Sequence, residues 1–169
     1  MARDYGFLMI GYDKPDMIQE LQNIIPNEEL YVEEGSDDYG FEDNTHVTLV
    51  PCLDKHFDVD TLKKEVKELS KYSILLSNIS KFDEDKFDVL KCDVGSYNLI
   101  DTNNSICSKF PTYSEFKEYR PHITIAYLKK GMADKYLQNS LIPMITLNPR
   151  CFIWSGVNED GTDLDIEWT

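Results

Sequence analysis

Short apolar runs alternate along the chain with stretches whose apolar residues recur every three or four positions, the marks of buried strands and of one-sided helices. "YGFLMIGY" is apolar over six or seven residues and predicts a buried strand, ended by Asp13, Lys14 and Pro15, which suit a helix start. In the following "PDMIQELQNII", Met17, Leu21 and Ile24 fall on one helical face, and Pro26 stops the element. Residues 33–45, "EEGSDDYGFEDNT", are acidic and turn-rich and predict a surface loop, with a short strand at "LYV" before it. "HVTLVPCL" predicts a strand. "DVDTLKKEVKEL" predicts an amphipathic helix, with Val59, Leu62, Val66 and Leu69 in line behind an Asp cap.

Two strand patterns, "YSILLSNISKF" and "KFDVLKCDV", are joined by "DED" and predict an antiparallel hairpin. Leu99, Asn103, Ile106 and Phe110 fit one face of a helix closed by Pro111. "YRPHITIAY" is the next strand, followed by a basic turn "LKKGM", a short helix near "ADKYLQNSL", a strand around "MITLNPRCFIWSG" and a last strand in "LDIEWT". The order is strand, helix, strand, helix, hairpin, helix, strand, helix, strand, strand. Its rough duplication predicts one α+β domain over residues 1–169 with two pseudo-symmetric lobes, rather than a doubly wound parallel sheet.

Composition narrows what such a domain can hold. At 169 residues a single domain buries roughly 70% of the surface of its unfolded chain. The 10 Tyr, 8 Phe and 2 Trp argue against disorder. Against 17 Lys and Arg stand 31 Asp and Glu, a formal charge of −14, so long nucleic acid held by phosphate neutralisation is not expected. A small phosphorylated ligand remains compatible, because a few local donors suffice. Cys52, Cys92, Cys107 and Cys151 show no CxxC spacing, and the start "MARDYGFLMIGYDK" lacks a long apolar run, so the expectation is a cytoplasmic protein with reduced thiols and no membrane partner.

The candidate chemistry lies in two of the strands. His46 and Thr48 stand at i and i+2, as do His122 and Thr124, so each pair shares one face while Val47, Leu49, Ile123 and Ile125 face a core. One such pair is ordinary in a strand. Two of the chain's three histidines in the same His-apolar-Thr-apolar tetrad are not. Two imidazoles and two hydroxyls suit phosphodiester cleavage without a metal: one neutral His accepts a proton from the attacking oxygen, and the other, protonated, supplies one to the leaving oxygen. The hydroxyls of Thr48 and Thr124 can donate to nonbridging phosphate oxygens, where charge builds in the transition state.

"HVTL" and "HITI", 76 positions apart (46 to 122), resemble the defining tetrads of the 2H phosphoesterase superfamily. The resemblance is closest in "YGFEDNTHVTLVPCL" and "FPTYSEFKEYRPHITIAYLKKG", which are similar to small phage-encoded members labelled 2′,5′ RNA ligase-like. It implies a bilobal, LigT-like α+β fold: two antiparallel sheets with flanking helices, one tetrad from each meeting in a central groove. It also implies catalytic roles for His46, Thr48, His122 and Thr124 and no cofactor. Relatives open 2′,3′-cyclic phosphates, trim RNA ends, degrade 2′,5′-oligoadenylates or, in phage anti-CBASS nucleases, cut cyclic oligonucleotides that signal infection. The expected function is cleavage of a small nucleotide signal in immune evasion by a phage protein acting as a monomer in the host cytoplasm. RNA-end processing is the alternative within the family.

Tyr12, Tyr127 and Trp154 are candidates for stacking on a base, and Arg120, which shares the parity of His122, for meeting a phosphate. Three rivals are weaker. A zinc enzyme would need further ligands that no HxH, HExxH or CxxC cluster supplies, and His56 lies in a helix lead-in. A Ser or Cys nucleophile lacks its GxSxG elbow or an electropositive setting. A silent nucleotide sponge has no need of two imidazoles, since Arg or Lys would bind as well.

Overall fold

The computed structural model describes residues 4–113, 118–139 and 145–169. Among them eight strands form a single antiparallel sheet: β1 (Tyr5–Gly11), β2 (His46–Asp54), β3 (Ile74–Asp83), β4 (Phe87–Gly95), β5 (His122–Lys129), β6 (Ile145–Leu147), β7 (Cys151–Val157) and β8 (Asp163–Trp168). Their spatial order is β6-β3-β4-β5-β2-β1-β7-β8. The two sheets that the family resemblance implies are thus two four-stranded halves of one. They join where the tetrad strands meet, through the pair Val47 and Ile123.

The chain order forces this sheet to bend. β6 and β7 are consecutive in sequence, separated by Asn148, Pro149 and Arg150, yet they are the first and seventh strands across the sheet. The step from Leu147 to Cys151 reaches about 14 Å at most. Six flat inter-strand spacings would need about 29 Å. The two halves therefore fold toward one another. At the link, the Ser73 hydroxyl donates to Asn148 Oδ1 at 2.6 Å beside the β3–β6 pair and the Arg150 amide donates to the Gly11 carbonyl at 2.8 Å beside the β1–β7 pair, so each end of the step is tied to its own half.

Three helices, α1 (Asp16–Ile24), α2 (Val59–Val66) and α3 (Tyr97–Lys109), pack on the apolar face of the sheet. Asp58 caps α2, its carboxylate accepting from the Thr61 amide at 2.9 Å, and Ser96 caps α3. Ile18, Leu21, Leu62, Val66, Leu99 and Ile106 lie in one core with Val47, Leu49, Ile123 and Ile125. Burying each such side chain is worth about 1.5–3 kcal/mol.

Several elements depart from expectation. The buried face of α1 is Ile18, Leu21 and Gln22, whereas Ile24 is 58% exposed. A polar residue on the core side hid the true stripe. "LYV" is no strand: Leu30 makes an isolated bridge to Leu128, and the loop after it flanks β5, with the Tyr31 amide donating to the Tyr127 carbonyl and the Tyr127 amide to the Gly40 carbonyl. The expected strand through 144–156 is two strands broken at Pro149, which has no N–H to give a ladder. The helix near residue 133 is a 3₁₀ segment, Asp134–Asn139. Ser140, Leu141 and Met144, the ends of those two predictions, lie outside the described residues, as does part of "FPTYSEFKEYRPHITIAYLKKG".

Candidate active site

β2 and β5 carry the same burial pattern: a half-buried residue, a buried one, a half-buried one, then two buried in succession. The doubled buried positions are Leu49 with Val50 and Ile125 with Ala126. Both mark β-bulges. On β2 the register to β1 passes from Met9 with Thr48 to Leu8 with Val50, and on β5 the register to β4 passes from Lys91 with Thr124 to Leu90 with Ala126. Each bulge sits at the fourth residue of its tetrad. Before it, His and Thr share the open face of the sheet; after it, the parity is reset.

A buried side-chain amide from a helix meets each bulge. Asn103 of α3 donates to the Leu49 carbonyl at 2.8 Å, and Gln22 of α1 donates to the Ile125 and Glu42 carbonyls, each at 3.0 Å. The helices cross over: the one preceding β5 serves β2, and the one preceding β2 serves β5. Sequence reasoning placed Asn103 on a packing face but gave neither residue this task.

The antiparallel pair Val47 and Ile123 brings the tetrads together. One step along it in either direction sets His46 across from Thr124 and Thr48 across from His122. His46 and His122 are then diagonal neighbours, whose backbone positions stand about 7–8 Å apart in a regular ladder, within reach of each other's long side chains. Their tautomers are set alike. His46 Nδ1 lies 2.7 Å from the Asn44 carbonyl and His122 Nδ1 lies 2.8 Å from the Arg120 carbonyl. A carbonyl can only accept, so each Nδ1 carries a hydrogen, and each Nε2 is the atom that exchanges a proton with a ligand.

The surroundings of the two histidines differ. On β1, Gly11 faces His46 and Met9 faces Thr48. On β4, Asp93 faces His122 and Lys91 faces Thr124. Lys91, only 5% exposed, donates to Asp93 Oδ1 and to the Ser80 hydroxyl, both at 2.6 Å, and Ser80 donates to the same carboxylate oxygen at 2.8 Å. Its ammonium stands 4.4 Å from the centre of the Phe82 ring, and that ring meets His122 edge-on at 4.8 Å between centroids. Burial, followed by the repulsion of the Lys91 cation and of His46, holds the His122 pKa below the ordinary imidazole value. The Arg120 carbonyl and Asp93 oppose the shift. The alternation "KCD" in "DVLKCDV" was the available signal for Lys91 and Asp93.

The proposed substrate contacts fare unevenly. Trp154 is 2% exposed and belongs to the core on the opposite face, edge-on to Phe57, and Tyr12 is also 2% exposed. Neither ring is open for stacking, which corrects the reading of both as base platforms. Tyr127 is half-buried and, because the β5 bulge resets parity, lies on the tetrad face opposite Val89. It packs edge-on with Tyr39 and Phe87, and Tyr31 contacts the same two rings. The guanidinium of Arg120 is on the surface, bonded to Glu118 at 2.9 and 3.1 Å, while its carbonyl orients His122. His56 sits past the far end of β2, paired with Asp54. Tyr119, not anticipated, donates its hydroxyl to the Thr48 carbonyl at 2.9 Å. Among the described residues no group of three or more His, Cys, Asp and Glu is placed to hold a metal ion, and no helix is long and apolar enough to cross a membrane.

The sequence matches the family model described as 2'-5' RNA ligase superfamily over residues 13–148. No curated protein matches it. Among solved structures it is similar to Usb1 of Kluyveromyces marxianus, with a TM-score of 0.55 at 10% identity over 98% of both chains. That likeness concerns the fold, which is the LigT-like α+β arrangement expected from the tetrads. The family match spans both tetrads and most of the chain, and the chain belongs to the 2'-5' RNA ligase superfamily, a 2H phosphoesterase family.

Proposed function

We propose that the protein is a metal-independent phosphodiesterase that cleaves small nucleotides between His46, Thr48, His122 and Thr124. One observation carries the reading: the tetrads face each other across one antiparallel join, with both Nδ1 atoms tied to carbonyls and both Nε2 atoms left for chemistry. One imidazole takes the proton of the attacking oxygen and the other protonates the leaving oxygen, each worth roughly 10²–10⁴ in rate. The two threonine hydroxyls donate to the nonbridging oxygens.

The charge of −14 favours a cyclic oligonucleotide or a short 2′,5′-oligoadenylate over long RNA. Tyr127, half-buried on the tetrad face, is the ring assigned to a base, with Tyr39 packed edge-on against it. The resemblance of the tetrad stretches to phage proteins supports a role in removing a host immune signal, with the protein acting as a monomer in the host cytoplasm. The family's description favours a second substrate class, 2′,5′-linked RNA, and we group RNA ends that carry a terminal cyclic phosphate with it.

The test is incubation in EDTA with cyclic di- and trinucleotides, 2′,5′-oligoadenylate, 2′,3′-cyclic nucleotides and a short RNA ending in a cyclic phosphate. Products are analysed after the protein is denatured. Catalytic turnover of a member of this panel is expected. Intact ligand recovered in stoichiometric amount would replace the enzyme with a nucleotide sink. Cleavage of the RNA end alone would move the substrate to the second class.

A further inference from the structure

The two tetrads are nearly identical in sequence, but their neighbours on the outer strands are not. Gly11 and Met9 beside the first tetrad bring no charge. Lys91 and Asp93 beside the second bring one of each sign. The Asp93 carboxylate is drawn toward β3, its Oδ1 bonded by both Ser80 and Lys91. The Lys91 ammonium, tied to Ser80 and Asp93 and lying over the Phe82 ring, is held against the ring that contacts His122. Among the described residues, the titratable groups facing His122 are Lys91 and Asp93 from β4 and His46 from β2; β3 presents Phe82 and Ser80.

We propose that Lys91 is a positioning residue that divides the acid and base roles: its fixed cation keeps His122 as the neutral imidazole, which makes His122 the base and leaves His46 to donate the proton. This rests on the phosphodiesterase reading. In the step so assigned, the attacking oxygen, of water or of a ribose hydroxyl, forms its bond to phosphorus as its proton passes to Nε2 of His122. The bond from phosphorus to the leaving oxygen breaks with its electron pair, and that oxygen takes the proton from Nε2 of His46. The depressed basicity of His122 agrees with this assignment, since an imidazole resting in the neutral form is the one ready to accept.

The protonation claim is tested without substrate. With three histidines in the chain, the ring resonances of labelled protein are assigned from His46→Gln, His56→Gln and His122→Gln and titrated in wild type, Lys91→Met, Lys91→Gln and Lys91→Arg. Lys91→Gln keeps a donor for Ser80 and Asp93, so it serves where Lys91→Met unfolds. The proton affinity of His122 is expected to rise at least about threefold in Lys91→Met and Lys91→Gln, to stay near wild type in Lys91→Arg, and to fall in Asp93→Asn. An unchanged His122 titration in both uncharged variants would overturn the role of Lys91.

The division of roles is tested on bis(4-nitrophenyl) phosphate, whose phenolate leaves without an acid. His46→Ala should retain most of the rate on it, and His122→Ala should lose most. Equal losses would overturn the assignment and leave the phosphodiesterase reading standing. Failure of wild type to turn over this diester and every nucleotide of the panel would remove that reading, with the titration still deciding what Lys91 does.

Discussion

Replacing Asn103 by Leu keeps the shape of the side chain and removes only its polar atoms, which makes it a clean test of how the first tetrad is held. The lost bond is the 2.8 Å contact from Asn103 Nδ2 to the Leu49 carbonyl, between a helix residue 7% exposed and a strand residue fully buried. Leaving a buried acceptor without its donor costs about 1–3 kcal/mol, and the apolar replacement recovers part of this. The net expectation is a loss of about 1–2 kcal/mol, a large share of the 5–15 kcal/mol typical of a domain. Gln22→Leu should cost less per bond removed, because the Ile125 carbonyl also accepts from the Glu42 amide at 3.1 Å. Urea unfolding followed by the fluorescence of Trp154 and Trp168 reads both. A midpoint for Asn103→Leu equal to or above wild type, with unchanged slope, would refute the claim that the amide stabilises the bulge.

Other expectations can be checked in the same preparations. An added Cβ on Gly156 would lie 2.2 Å from the Trp154 ring, and one on Gly6 would lie 2.7 Å from it, so Gly156→Ala should lose about 1–3 kcal/mol by overpacking, read as a lower urea midpoint. Thr48→Val and Thr124→Val should fold normally and slow cleavage on the order of 100-fold each, as expected for a lost oxyanion donor, measured as kcat on the best panel substrate. Because the His122 pKa is lowered in the fold, the unfolded chain binds its proton first. Stability from this residue is therefore complete above its ordinary value of 6.5 and falls as acidification passes down through the folded value. Wild type should lose more stability than His122→Gln between neutral and mildly acidic pH in urea titrations.

The chemistry of this protein is easier to read in its sequence than its connections are. His46, Thr48, His122 and Thr124 announce themselves because strand alternation puts each pair on one face, and the strand pairing sets the two pairs side by side. The bulges were legible too, as the doubled apolar pairs Leu49–Val50 and Ile125–Ala126 that interrupt the alternation. Tyr12, just past the end of β1, and Trp154, in the middle of β7, misled because an aromatic in or beside a strand gives no sign by itself of whether it faces solvent or core; the glycines at 6 and 156 that flank the Trp154 ring were the overlooked clue. The passage of the chain from β6 to β7 was invisible, since three residues with a proline look like a kink in one strand rather than a step between lobes. Gln22 was missed because its partner Ile125 lies 103 positions away in sequence. Lys91 was missed although Asp93 stands two positions on, because nothing in the chain marks that its other partners, Ser80 and Phe82, lie beside it on the neighbouring strand.

The claim at the centre of this account is that the two tetrads act together as one acid–base site without a metal. Single-turnover rates on the best panel substrate in EDTA, for wild type, His46→Ala, His122→Ala and the double variant, test it most directly. The account predicts full wild-type activity in EDTA and a fall of roughly 10²–10⁴ for each single substitution, with the double variant little worse than the poorer single one. Loss of wild-type activity in EDTA, or a rate that survives removal of either histidine, would contradict it.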